Sequence, residues 1–298
     1  MKNIKSYLHK IIDVPSIKKL LIKFNESLST ATFSGWDMTT YTLTPWHDGA
    51  GDDMARDFLI ANEEIATRVK EGKFNLSQFN NIQDKRKELD TLMWRHYIVF
   101  WSARYAAKAT NYSIKNLVEC GVCDGLTVYF AMNALKGNYE FKSFLYDAWE
   151  GMKSEHLLES EKKSVGYYSY LDIENTKNNL AAFQGETVFI KGYIPKSFET
   201  SDNPTEIVWL HIDLNSAMPT KEALQFFFEK IQPGGVILFD DYARQGDYDT
   251  RLVINDFFSG KSGVLLPLPT GQAVYFKLDH EAKEIIRKTQ FGNMGRKK

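Results

Sequence analysis

Cysteine is nearly absent from this chain: Cys120 and Cys123 are the only two in 298 residues. That excludes a disulfide framework and makes a reducing compartment the expectation. Their Cys-x-x-Cys spacing permits a redox reading, but two thiolates fall short of the four ligands of a structural zinc site. An excess of one charge is also lacking. With 37 Lys and Arg against 38 Asp and Glu, the formal net charge is −1, which gives no electrostatic case for a nucleic-acid partner. No apolar run approaches the ~20 residues that a membrane-spanning helix needs. The lysine-bearing start, Met1 to Lys10, is not followed by a signal-type apolar core, so a cytoplasmic location is expected. Lysines at 2, 5, 10, 18, 19 and 23 alternate with Ile4, Leu8, Ile11, Ile12, Leu20 and Leu21. This pattern suits an amphipathic helix packed on its own domain, or one resting on a membrane surface.

What is present divides into two textures. Residues 1–112 read as a mainly helical N-terminal region, with helical spacing of apolar groups over Ala61 to Lys73 and Asp84 to Thr110. Within it, residues 30–53 are rich in Thr, Gly, Asp and aromatics, including Trp36, Tyr41, Trp46 and His47. A stretch of that kind suits a lid or binding loop, or packing against the sheet. Residues 113–298 alternate strand and helix, the mark of a parallel α/β sheet. Expected strands are 116–120, 142–147, 187–191, 206–213, 235–240, 263–267 and 272–278. Expected helices are Gly125 to Leu135, Glu174 to Phe183, Pro219 to Ile231 and Thr250 to Phe258. Pro219 suits a first helical turn, and Pro233-Gly-Gly suits its termination. The last two strands are separated only by Pro269-Thr-Gly-Gln272. A parallel crossover needs a dozen or more residues, so this pair must form an antiparallel hairpin.

Three apolar strands end in glycine or carboxylates: Asn116 to Gly125, Ile207 to Asp213, and Gly234 to Asp241. Ligands of an open parallel sheet bind at the carboxyl ends of its strands. Gly121 and Gly125 allow a tight turn and close approach of a ligand to backbone. The turn has neither the GxGxxG fingerprint nor the Lys-Ser/Thr of a phosphate loop. Glu119 before it would repel pyrophosphate but attract the ammonium of an amino-acid ligand. Asp147, about 20 residues beyond the turn, suits the hydroxyls of a ribose. Together they indicate a nucleoside without phosphate. Asp213, Asp240 and Asp241 would repel one another unless a cation joined them, and Mg²⁺ is the usual partner for such oxygen ligands. Helix capping and solvation are the alternative. His211 shares a strand face with Asp213 and is a candidate general base, or a core histidine bonded to backbone.

Five parallel strands and a terminal hairpin match the Rossmann-like class I S-adenosylmethionine-dependent methyltransferase sheet, seven strands with the last antiparallel. Over about residues 94 to 278 the chain resembles the macrocin O-methyltransferases, which act on deoxysugar hydroxyls. The resemblance is carried by Val118-Glu-Cys-Gly-Val, Tyr146-Asp-Ala-Trp-Glu-Gly-Met, Val188-Phe-Ile-Lys-Gly-Tyr-Ile, Leu210-His-Ile-Asp-Leu-Asn with Thr220, and Pro233-Gly-Gly-Val-Ile-Leu-Phe-Asp-Asp-Tyr242. It implies S-adenosylmethionine held by Glu119, Gly121, Gly125 and Asp147. It also implies magnesium on Asp213, Asp240 and Asp241, and a small-molecule acceptor such as a sugar or nucleotide sugar. The family's Trp-Arg-Gly-Gly is Cys123 to Leu126 here, its second aspartate is Asn215, its Tyr-Glu-Ser-Thr is Ala217 to Thr220, and its arginine is His211.

The expected activity is therefore methyl transfer to a hydroxyl, with Asp213 and His211 assisting proton removal. Competing readings are a metal-independent methyltransferase with a nitrogen or carboxylate acceptor, and a non-catalytic S-adenosylmethionine-binding or assembly protein. An NAD-dependent oxidoreductase is disfavoured by the missing glycine. A homo-oligomer stays open.

Overall fold

The computed structural model describes residues 54–199, 202–243 and 248–279. The 30–53 loop with Trp36, Tyr41, Trp46 and His47, and the lysine-bearing segment before it, lie outside the described residues. Three helices come first: α1 (Met54–Lys70), α2 (Ile82–Thr91) and α3 (Met93–Ala109). The strands and helices that follow are β1 (Ile114–Cys120), α4 (Leu126–Leu135), β2 (Glu140–Asp147), α5 (Ile173–Asn179) and β3 (Thr187–Lys191). The chain continues through β4 (Ile207–Ile212), α6 (Ala217–Phe227), β5 (Ile231–Phe239), α7 (Tyr248–Phe258), β6 (Gly263–Pro267) and β7 (Ala273–Lys277).

The seven strands form one sheet in the order β3-β2-β1-β4-β5-β7-β6. Neighbours among β1 to β5 are parallel, while β7 runs antiparallel to both β5 and β6. The strand order reverses between β1 and β4, and that reversal opens the ligand crevice of a doubly wound sheet. Alternation along each strand divides the core between the two faces. Leu117, Trp209, Val236, Leu238 and Val274 pack with residues of α1, α3 and α4. Val118, Leu210, Ile212, Ile237 and Phe239 pack with α6 and α7. Strand β4 is buried along its whole length, as expected for a central parallel strand covered on both faces.

Several boundaries differ from the sequence expectation for identifiable reasons. The first helix runs from Met54 to Lys70 and stops before Gly72, whose φ of 71° is left-handed. The expected helix over Asp84 to Thr110 is two helices that meet at Leu92, which caps both. Asn81 starts the first of them by accepting the Asp84 N–H at 2.9 Å. Helix α6 begins two residues before Pro219 and ends at Phe227. Pro233-Gly-Gly is not its terminator but lies inside β5, beside a register shift against β4. There Gly234 takes a φ of 83°, and a Cβ on it would lie 2.6 Å from the Ala109 carbonyl oxygen.

Candidate active site

Each parallel strand ends in a turn at one edge of the sheet, and backbone bonds tie those ends together. The Gly121 N–H donates to Tyr146 O at 2.8 Å, Asp213 N–H to Cys120 O at 2.9 Å, and Asp240 N–H to Ile212 O at 3.0 Å. Gly121 takes φ 89°, and a Cβ there would stand 1.8 Å from the Asp213 carbonyl oxygen. Only glycine fits. Cys123, Trp149 and Asn215 are three of the four non-glycine residues with positive φ among those described. They follow β1, β2 and β4, so the backbone departs from its preferred conformations around this crevice, where function tends to concentrate.

The glycine turn is bound to the end of β2. Asp147 Oδ2 accepts the N–H groups of Val122 at 2.7 Å and Cys123 at 2.9 Å, and Oδ1 accepts that of Trp149 at 2.7 Å. Burial pushes the Asp147 carboxyl up, against the lowering effect of these donors. Trp149 closes over the turn, its indole N–H donating to Thr176 Oγ1 at 2.9 Å. Asp124 turns the other way. It accepts the Ser77 N–H and hydroxyl, each at 2.7 Å, and Asn175 Nδ2 at 2.7 Å. Its carbonyl accepts Asn179 Nδ2 at 2.8 Å.

Glu119 and His211 face each other in the β1–β4 register. Oε1 of Glu119 lies 2.7 Å from Nδ1 of His211, and both side chains are fully buried. Burial pushes the Glu119 carboxyl up. Burial works to lower the His211 imidazole, but the Glu119 hydrogen bond and charge outweigh it, and the net direction is up. His96, buried on α3 and stacked on Phe130 at 4.6 Å, is held well down by burial and by the charge of Arg95. Neither cysteine is a candidate nucleophile. Both are free thiols, and burial raises them well above the ordinary range.

Beyond His211 lie the carboxylates. One ring nitrogen of His211 and one oxygen each of Asp213 and Asp240 fall within 4.8 Å of one another. Arg95 joins the two aspartates, with Nη2 at 2.6 Å from Asp213 Oδ2 and Nε at 2.5 Å from Asp240 Oδ1. Asn215 Nδ2 donates to Asp213 Oδ1 at 3.0 Å, and Gln272 Nε2 to Asp240 Oδ1 at 3.1 Å. Asp241 is buried, lies outside that group of close ligand atoms, and accepts the Asn215 backbone N–H at 2.8 Å. A divalent ion on Asp213, Asp240 and Asp241 would require Arg95 to withdraw and Asp241 to turn. The residues as arranged do not fit such an ion.

The structure thus gathers Glu119, Gly121, Asp147, His211, Asp213 and Asp240 at one edge of the sheet. Gly125, with φ 86°, precedes α4. Arg95, Asp124, Asn215 and Gln272 were not evident as site residues in the sequence. The available signal for Arg95 was a charged side chain in an apolar helix, since buried charge requires a partner.

Residues 118–242 match the family described as "Methyltransferase domain". No curated protein sequence matches the chain. Among solved structures, that of the O-methyltransferase NovP superposes with a TM-score of 0.61 at 13% identity, covering 76% of this chain and all of NovP. CalS11, a calicheamicin methyltransferase, gives 0.48 at 16% identity, covering 73% of this chain and 93% of that one. An O-methyltransferase from Bacillus cereus in complex with SAH gives 0.43 at 12%, covering 73% and 91%. Residues 118–242 thus carry the match to a methyltransferase domain, and the chain shares the fold of NovP.

Proposed function

We propose that the chain transfers the methyl group of S-adenosylmethionine to a hydroxyl of a polar small molecule. A sugar or nucleotide sugar is the acceptor class that its sequence resemblance to the macrocin O-methyltransferases favours. The observation that carries the cofactor reading is the hold of Asp147 on the glycine turn. The N–H groups of Val122 and Cys123, which a phosphate-binding turn would offer to an anion, are already bonded to a carboxylate. That arrangement repels pyrophosphate and suits a cationic nucleoside. Gly121 and Gly125 give the turn its left-handed backbone, packed against Asp213 and Leu180, and Asp147 is the residue we assign to the ribose hydroxyls. Glu119, fully buried on His211, contributes through the charge it places behind the turn.

The donor sulfonium is already activated, so the protein's main task is to align oxygen, methyl carbon and sulfur. Asp213 is the group at the acceptor side, with 18% of its side chain exposed, whereas His211 is enclosed. Asp213 takes the hydroxyl proton, and His211 supports it from behind.

Calorimetric titration with S-adenosylhomocysteine tests the reading, with Asp147→Ala as control. Micromolar binding by the wild type, lost in the variant, is expected. No heat and no thermal shift from the wild type would overturn the reading.

A further inference from the structure

We infer that the Arg95 guanidinium is the resident cation of the Asp213–Asp240 pair, holding the place that a divalent ion would take and positioning Asp213 for the acceptor. The inference rests on the methyl-transfer reading for its catalytic meaning, though not for its ion chemistry.

Two carboxylates at the ends of adjacent parallel strands need a positive charge between them. Arg95 supplies it with two separate N–H groups of one planar fork, Nε to Asp240 and Nη2 to Asp213. This is the geometry in which arginine and a point-charge lysine are not interchangeable. The arm is anchored. Arg95 stands in the first turn of α3, between Met93 and His96, both buried, and ahead of buried Val99 and Phe100. Burial would lower the guanidinium's affinity for its proton, but Asp240, Asp213 and Asp241 more than restore it.

The other neighbours point the same way. Asn215 presents its amide N–H₂ to Asp213 and its backbone N–H to Asp241, and Gln272 presents its amide N–H₂ to Asp240. A magnesium or manganese ion is held by oxygen lone pairs. Here both oxygens of Asp213 and Oδ1 of Asp240 already face hydrogen-bond donors, which would meet an entering cation with their positive ends.

The chemistry balances without an ion. The acceptor oxygen attacks the methyl carbon as the carbon–sulfur bond breaks, and that electron pair stays on the departing thioether sulfur. The hydroxyl proton passes to the Asp213 carboxylate. Arg95 holds that carboxylate in place while Asp240 shares the guanidinium, so its role is positioning through Asp213.

Manganese binding, read by electron paramagnetic resonance and calorimetry, tests this on the wild type, Arg95→Ala, and Arg95→Ala with Asp240→Asn. The wild type should show no saturable Mn²⁺ site below ~100 µM, a level that discriminates built cation sites from weak ones. Arg95→Ala should gain a site at least about tenfold tighter than any in the wild type, and Asp240→Asn should abolish it. Asp240→Asn made alone in the wild type is a further sample, and a wild-type site below that level that it removes would overturn the inference. So would failure of folded Arg95→Ala to gain one. Circular dichroism reports folding, with Arg95→Gln as the substitute should the alanine variant melt. Binding of S-adenosylhomocysteine on the same samples keeps the two readings apart: a wild type that binds nucleoside and also Mn²⁺ loses only the role of Arg95.

Discussion

Asp124 and Ser77 lie 47 residues apart in the chain and are joined twice, through the Ser77 N–H to Oδ2 and its hydroxyl to Oδ1, each at 2.7 Å. The contact fastens the segment after α1 to the glycine turn, and Asn175 and Asn179 complete the clasp from α5. Burial pushes the Asp124 carboxyl up, against the Ser77 and Asn175 bonds that favour its charged form.

Replacing Asp124 with Ala leaves the half-buried Ser77 N–H without its acceptor. The expected cost is about 1–3 kcal/mol, the scale of lost hydrogen bonds to a charged group. Urea unfolding should show the loss, together with weaker binding of S-adenosylhomocysteine because the turn is no longer held from behind. Stability within about 0.5 kcal/mol of wild type would mean the clasp contributes little beyond the scatter of surface substitutions.

Two glycines with similar backbone angles separate conformational strain from contact. Gly121 and Gly137 have φ of 89° and 77°, yet a Cβ at Gly137 meets nothing within 4 Å, while one at Gly121 would strike the Asp213 carbonyl. Gly137→Ala should cost roughly 1–2 kcal/mol, the left-handed penalty of an L-residue. Gly121→Ala should cost markedly more and should abolish nucleoside binding. Equal melting temperatures for the two variants would remove the contact argument.

The two buried histidines should give opposite pH signatures. His211 is raised above its ordinary 6.5 by Glu119 in spite of burial. Its stabilisation is therefore complete below about pH 6.5 and is lost as pH rises through the higher folded value. His96 is depressed below 6.5 by burial, so its site is stable above about pH 6.5 and loses stability as pH falls, when the unfolded chain takes up the proton. Relative to wild type, His211→Gln should be weakest at acid pH and close the gap on the alkaline side. His96→Gln should gain on wild type as pH falls below about 6.5. Denaturation midpoints from pH 5 to 9 check both, and parallel curves for wild type and variants would contradict the assignment.

The strand ends were legible because a short apolar run closed by a carboxylate or glycine is a local signal. Glu119, Gly121, Asp147, His211, Asp213 and Asp240 could each be picked out that way. So could the β6–β7 hairpin, from the length of its connection alone. Pairings were not legible. That Glu119 faces His211 depends on the register between two strands 92 residues apart, and no local pattern encodes it. Arg95 reaches across 118 and 145 residues to its aspartates, while helical periodicity states only which side of α3 is covered. Pro233-Gly-Gly departs from its expected place because such residues terminate helices as readily as they kink strands, and the register shift against β4 decides between the two.

At Gly121 the backbones of β1 and β4 meet with no room for a side chain. In the proposed methyl transfer, donor and acceptor would therefore sit on either side of a single seam of main chain. Loading one half of the crevice would press on the residue that serves the other, and the two reactants would share a common floor. Such a joint would transmit a shift of a few tenths of an ångström without any moving loop, because close-packed interiors pass strain on rather than absorb it.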